Sequence, residues 1–390
     1  MIDQKPIISI VIPTRNRQKY ALSCVKSILS IPDDRLEIVL HDNSLDNSLE
    51  YSIQELRDSR VKYYYNDSEM STVHNFDYGM DYATGEYICY IGDDDCVTKD
   101  IVKISEWALK QNLDALIGTY LVNYNWPKKD KSSSFTIYPF NSKIKKVNVK
   151  SELTDFLQKG GVYYLKHDLP RVYHGIVRKQ CFDKVKDKLG YYFGGLTPDI
   201  FASISVSCVA QNVMKIDYPL TVAGSSSESD QTHRTDKARN TKLKDAPHFR
   251  GRGEYTWSEI IPDVYSGETI WAESSIKALE EMGCSGIIKA NLNKINLLAT
   301  ILKANPHQFE EVYNYAERKS LDKEYSSLKV KVSWKIYAMK INDFLSKVKN
   351  RFMKLIFAQK TIRVFDLENI ELAVDYLENY LEKRKPKFLK

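Results

Sequence analysis

The stretch Tyr87-Ile88-Cys89-Tyr90-Ile91-Gly92-Asp93-Asp94-Asp95 joins an apolar run to three consecutive carboxylates. A short apolar run of this kind, rich in aromatic and branched residues, reads as a buried strand. Adjacent carboxylates repel one another, so a strand ending in three of them calls for a counter-charge. A hard divalent cation with oxygen ligands supplies one, and it can bridge carboxylate to diphosphate. The competing reading is a solvated acidic turn that caps the helix predicted over Lys99–Lys110.

The neighbouring segments decide between these readings. Ile7–Ile12, closed by Pro13, reads as a first buried strand, and Arg17–Leu29 spaces apolar residues at helical intervals. Leu36–Leu40 is a second strand that runs into His41-Asp42-Asn43-Ser44. Val61–Tyr65 is a third, and Met70–Ala83 has helical spacing. Strands alternating with helices predict an α/β fold with a mostly parallel sheet flanked by helices. Ligands in such sheets bind beyond the carboxyl ends of the strands. Here Thr14-Arg15-Asn16, Asp42-Asn43-Ser44 and Asp93-Asp94-Asp95 all stand at such ends. Their convergence favours a ligand site over a capping turn.

Composition narrows the class. The 390 residues are 43% hydrophobic and 28% charged, and 57 Lys and Arg against 51 Asp and Glu leave a net charge of +6. The charges are mixed until the last quarter, without the basic stripe of a nucleic-acid binder. None of the six cysteines forms a CxxC pair, so they read as small buried residues of a reducing compartment. The first residues lack a charged start followed by an apolar run. No run of about eighteen apolar residues predicts a spanning helix. A cytoplasmic protein is the expectation.

Three motifs in order resemble the family 2 glycosyltransferases of GT-A fold. They are Ile8-Ser9-Ile10-Val11-Ile12-Pro13-Thr14-Arg15-Asn16-Arg17, then Asp42-Asn43-Ser44-Leu45-Asp46, then Gly85-Glu86-Tyr87-Ile88 leading into Gly92-Asp93-Asp94-Asp95. The resemblance implies an inverting enzyme, Rossmann-like in architecture, that uses a nucleotide-sugar donor and Mn²⁺ or Mg²⁺. It places Thr14 and Arg15 in the nucleotide pocket and Asp42 on the base. Asp93 would face ribose or metal, Asp94 would join the donor site, and Asp95 would be the direct metal ligand. His41 stands where many relatives have a second acidic residue and is left out of the chemistry. Asn75 is either a donor-site asparagine or a helix-surface or capping residue.

Further along, Tyr173–Val177 reads as a strand beneath the acceptor site. Thr197 and Pro198 suit the N-cap and first position of a helix, which puts Asp199 in its first turn. An acidic residue there complements the helix dipole without any further role. The resemblance implies more: inverting relatives carry a general base well downstream of the acidic strand, and Asp199 is the candidate. Many relatives show a Glu-Asp pair at this point, and Thr197-Pro198-Asp199 departs from it. The polar run Gly224–Arg234 suits a lid over the donor. His233 is the candidate late metal ligand, with His248 behind it. Arg234, Arg239, Arg250 and Arg252 are candidate diphosphate partners.

The expected organisation is a catalytic domain over 1–230, a lid connection over 231–265 and a helical region over 266–390. Helical spacing covers Glu268–Met282, Ile287–Ala304 and Gln308–Arg318. Between Lys329 and Lys360 lie nine basic residues and one acidic residue, Asp343. Trp334, Tyr337 and Met339 precede a stripe of Ile341, Phe344, Leu345, Val348, Phe352, Leu355 and Ile356, with Lys340, Lys347 and Lys354 on another part of the helix. This segment suits either an anionic membrane surface or packing on the catalytic domain or another subunit. The function expected is sugar transfer to a glycan or lipid-linked glycan in capsule, O-antigen or lipopolysaccharide synthesis, on the inner face of the cell membrane. Two rival classes are a sugar-1-phosphate nucleotidyltransferase and a non-catalytic nucleotide-sugar-binding module. The first needs a Gly-rich phosphate loop, and Pro13–Arg17 has no glycine. The intact acidic triplet and Asp199 argue against the second.

Overall fold

Strand β1 (Ile8–Thr14) anchors the structure, a computed structural model that describes residues 5–227, 247–249, 251–319, 325–356 and 361–389. After it come α1 (Gln18–Leu29), β2 (Leu36–Asp42), α2 (Ser48–Gln54), β3 (Val61–Tyr65), α3 (Thr72–Asp81) and β4 (Tyr87–Tyr90). Next are β5 (Cys96–Val97), α4 (Ile101–Lys110), β6 (Ala115–Ile117), β7 (Val122–Asn125), β8 (Ser134–Ile137) and β9 (Ile144–Val147). The chain continues through α5 (Val149–Gln158), β10 (Ile176–Arg178), α6 (Lys179–Leu189), α7 (Pro198–Ser207), β11 (Val213–Ile216) and β12 (Thr221–Ser225).

The main sheet has the order β3-β2-β1-β4-β10-β6-β11-β9. Its first four strands are all parallel. β10 runs antiparallel to both β4 and β6, β6 and β11 are parallel, and β9 closes the edge antiparallel to β11. β1 is apolar and sealed on both faces because helices cover both sides. Ile8, Ile10 and Ile12 meet the Tyr20, Ala21, Cys24, Val25 and Ile28 face of α1. Val11 points the other way and shares a core with Val73, Phe76 and Met80 of α3. Gly85 is needed where the chain enters β4, since a Cβ there would stand 2.5 Å from the backbone nitrogen of Ser9.

The second half is helical, with α8 (Gly267–Glu281), α9 (Ser285–Asn291), α10 (Lys294–Ala304), α11 (Phe309–Arg318) and α12 (Tyr325–Ile356). The helix expected over Ile287–Ala304 is two helices. Leu292 is extended, and Asn293 caps the second by accepting from the N–H of Asn296 at 2.9 Å. The strand expected over Tyr173–Val177 is shorter and later, because His174 adopts φ 59°.

The last residues differ most from expectation. β13 (Ile362–Phe365) pairs with β8 in a second sheet of order β13-β8-β7-β12-β5. α13 (Ile370–Leu381) lays Ile370, Ala373, Val374, Leu377 and Leu381 into the core beside α1. Ser23 donates to Glu371 at 2.8 Å, and the N–H of Lys99 donates to Glu378 at 2.7 Å. The C-terminal end therefore belongs to the core of the first half rather than to the helical region expected over 266–390. Its i, i+3, i+4, i+7 spacing carried that information.

Candidate active site at the strand ends

The ends of β1, β2 and β4 come together. The loop after β1 and the loop after β2 are laced by Arg15 Nη1 to Asn43 Oδ1 (2.6 Å), the N–H of Asn16 to Ser44 Oγ (2.7 Å) and the N–H of Leu45 to Asn16 Oδ1 (2.9 Å). Asn16 takes φ 54° to make these contacts. Thr14 Oγ1 donates to Asp93 at 2.7 Å and ties the first motif to the third. Asp42 is fully buried and accepts from the N–H and hydroxyl of Ser44 and from Tyr63 OH. Asn75 is buried between Thr14 and His41: it donates to the Thr14 carbonyl at 3.2 Å, and its Oδ1 lies 2.6 Å from His41 Nδ1. It is neither a surface residue nor a cap, since Ser71 caps α3.

All three carboxylates of the triplet are buried, and each has a different set of partners. The Arg17 guanidinium lies between the first two, with Nε 3.1 Å from Asp93 and Nη2 2.7 Å from Asp94. Asp94 also accepts from the N–H of Ser226 at 3.0 Å. Asp95 accepts from the N–H of Gly92 and of Gly224, both at 2.6 Å, and from Tyr173 OH at 3.0 Å. His174 Nε2 stands 3.2 Å from the same carboxylate. Burial drives Asp93 up to about 7 against the pull of Arg17. Burial also acts to raise Asp95, but the nearby His174 charge and the donated hydrogen bonds outweigh it and hold Asp95 below its ordinary value.

Much of this shell comes from far along the chain. Gly224 is packed so closely that a Cβ would stand 1.7 Å from the carbonyl oxygen of Asp94. Trp126 Nε1 donates to that same carbonyl at 2.9 Å. The start of the polar run read as a lid is thus part of the floor: Thr221–Ser225 is β12, and its Gly224, with Ser226 just beyond, grips the triplet. Arg17, Tyr173, His174, Gly224 and Ser226 were not singled out from sequence. A positive residue one step past the Thr14-Arg15-Asn16 motif was the only available signal, and it pointed to Arg17.

Asp199 stands in the first turn of α7, with Pro198 at the first helical position as expected. Thr197 does not cap with its side chain, and its buried hydroxyl has no hydrogen-bond partner among the described residues. Asp199 accepts from Tyr164 OH at 2.8 Å. Tyr120 feels the charge of both Asp199 and Asp95, and its ring lies 4.7 Å from that of His174. The half-buried Tyr120 thus lies against His174, which faces Asp95. His233, Arg234, Arg239 and Arg250 lie outside the described residues. His248 packs on Tyr265, and Arg252 lies over the Tyr255 ring.

The carboxylates suit a hard cation in kind, and the Arg17 guanidinium marks where positive charge is needed between Asp93 and Asp94. The oxygens of Asp95 are already engaged by four groups. Among the described residues no set of three His, Cys, Asp or Glu side chains is arranged to hold a metal ion.

An open α/β sheet with polar residues gathered beyond its parallel strand ends defines a ligand-binding domain of the crevice type. Residues 9–169 match the family model of glycosyl transferase family 2, and this segment is a family 2 glycosyltransferase domain. The glycosyltransferase GlyG of Streptococcus pneumoniae is 30% identical over 34% of this chain and 44% of its own length. A GalNAc(5)-diNAcBac-PP-undecaprenol beta-1,3-glucosyltransferase of Campylobacter jejuni is 32% identical over 23% of this chain and 30% of its own. Abequosyltransferase RfbV of Salmonella typhimurium is 27% identical over 51% of this chain and 61% of its own. The chain thus spans less than two thirds of the relatives it matches. The solved S. aureus TarS 1-349 with UDP-GlcNAc overlaps 82% of this chain and 83% of its own at TM-score 0.49 and 13% identity, too loosely to bear on function.

Proposed function

We propose that the protein is an inverting glycosyltransferase that moves a sugar from a nucleotide-sugar, of the UDP type, to a hydroxyl of a glycan or lipid-linked glycan in bacterial surface-polysaccharide synthesis. The observation that carries this reading is the buried acidic strand end within the family 2 segment, with Asp199 at the start of α7. Asp199 accepts the proton of the acceptor hydroxyl as that oxygen attacks the anomeric carbon, and Tyr164 orients its carboxylate. Thr14, Arg15 and Asp42 form the nucleotide side, and Asp93 and Asp94 face the donor. Asp95, with Asp93 beside it, would hold Mn²⁺ or Mg²⁺, which when bound would take up charge on the departing diphosphate. Release of nucleoside diphosphate from a panel of nucleotide-sugars, with and without Mn²⁺, tests the proposal. Release from none of them, with a folded protein, overturns it in favour of a binding module.

The same reading places the reaction at the inner face of the cell membrane. Among the described residues no helix is long and apolar enough to cross a membrane. α12 buries Leu328 and Val332 against the rest of the chain, but Val330, Trp334, Tyr337, Ile341, Phe344, Leu345 and Val348 are exposed along one stripe. Packing of this stripe on the catalytic half is therefore set aside. The side chains of Phe352, Lys354, Leu355 and Ile356 lie outside the described part. An exposed apolar stripe with lysines beside it suits an anionic bilayer. Truncating the C-terminal region would remove β13 and α13 from the core, so the test is Trp334→Ser with Phe344→Ser. The parent should sediment with anionic liposomes at low salt and the variant should not. Equal sedimentation rules the anchor out, and a change of oligomeric state in the variant points to a homo-oligomer contact instead.

A further inference from the structure

Arg171 lies outside the acidic strand end and is 5% exposed. Among the described residues its hydrogen bonding is one long contact, Nη2 to the His167 carbonyl at 3.5 Å. Its Nε is buried with no partner. Among the described residues no carboxylate lies within ion-pair distance of it, whereas His167 stands 3.2 Å from Asp155 and His174 3.2 Å from Asp95. A guanidinium withdrawn from water without a counter-ion is costly, and buried arginines are ordinarily found on anions. The charge of Arg171 acts on both Tyr120 and Tyr164, the two phenols beside Asp199. Chain direction explains the placement. The turn Arg171–His174 returns to β4 through the N–H of Tyr90, which donates to the Val172 carbonyl at 2.8 Å. Close packing fixes that turn, because a Cβ on Gly175 would stand 2.4 Å from the Arg171 carbonyl oxygen.

We propose that Arg171 is an anion-binding residue of this site: it takes a phosphoryl or carboxylate group of a substrate beside Asp199, through its planar fork of donors. The assignment to a substrate rests on the proposed role of Asp199. Two sources share this chemistry, the diphosphate of the donor and an anionic substituent of the acceptor. Inorganic phosphate and pyrophosphate probe the site without turnover, so the test stands even if no donor in the panel reacts.

Full-length parent, Arg171→Gln and Arg171→Lys are compared by thermal shift and calorimetry at fixed ionic strength set with chloride. Phosphate or pyrophosphate should raise the Tm of the parent, and the rise should be lost in Arg171→Gln and reduced in Arg171→Lys. Without added anion, Arg171→Gln should melt no lower than the parent, because it removes an uncompensated charge. Loss of affinity of about tenfold or more for UDP with uridine binding unchanged assigns the anion to the donor. Parent-like UDP affinity with a rise of about tenfold in acceptor KM assigns it to the acceptor. The proposal is overturned if the parent shows no anion-dependent shift, or if Arg171→Gln shifts as the parent does. A variant that melts lower and keeps the anion shift also overturns it and makes Arg171 structural.

Discussion

Asp95 accepts from two backbone N–H groups and a phenol and faces an imidazole, whereas Asp199 sits half-exposed in a first helical turn and accepts from Tyr164. The first is held by segments far apart in sequence: the loop after β4, the turn before β10, and β12. The second stands at the start of its own helix, with the Tyr164 hydroxyl on its carboxylate. A carboxylate surrounded by donors keeps its charge and its position. A carboxylate at a half-open helix start keeps room for a hydroxyl group to approach. On the proposed function, the first carboxylate is held in place and the second is the one a hydroxyl group can approach.

Asp199→Asn gives the sharpest break. Turnover should fall by about 10²–10⁴-fold with donor affinity and Tm near those of the parent, since only the proton acceptor is lost. Steady-state kinetics beside nucleotide binding measure this. Retained turnover moves the base elsewhere, and unfolding leaves Asp199 a helix-start residue.

Asp95→Asn should act first on the fold. The new amide NH₂ would face donors of Gly92, Gly224, Tyr173 or His174, and a buried network broken on one side costs about 3 kcal/mol. Denaturant unfolding of the variant measures it. A parent-like midpoint together with a lost metal requirement would support Asp95 as the direct metal ligand.

Glu273 in the helical half supplies the smallest effect and a contrast with the triplet. It is fully buried, and its hydrogen bonds come from Tyr255 OH and the N–H of Ser258. Burial raises it to about 7 from 4.5. A raised carboxylate contributes its stability in full below about pH 4.5 and loses it as pH climbs through about 7. The parent should therefore lose about 2–3 kcal/mol between those limits. Glu273→Gln should lack that slope, matching the parent in acid and exceeding it near pH 8. Parallel stability curves for the two proteins would refute the raised value.

How much was legible follows from how far apart the contacts are. The apolar runs of β1 to β4 and the helices between them were readable because a parallel sheet buries both faces and so writes continuous apolar segments. The last strand and helix are less legible: Ile370, Ala373, Val374, Leu377 and Leu381 follow a helical stripe, but the basic segment just before them favours a surface region and nothing local names α1 as the partner. The break at Asn293 has only one capping residue to mark it within a continuous apolar period.

The sequence by itself determined the strand–helix alternation, the three polar strand ends and the acidic triplet, because each is a local pattern of side chains with a fixed period or position. It also placed Asp199 at a helix start through Pro198. Only the tertiary structure decided that Arg17 lies between Asp93 and Asp94 and that His174, Tyr173 and Gly224 close around Asp95. It alone showed Arg171 buried without a counter-ion among the described residues. These are pairings across tens to hundreds of residues, set by strand order and close packing, and no local pattern encodes which distant groups a buried charge will meet.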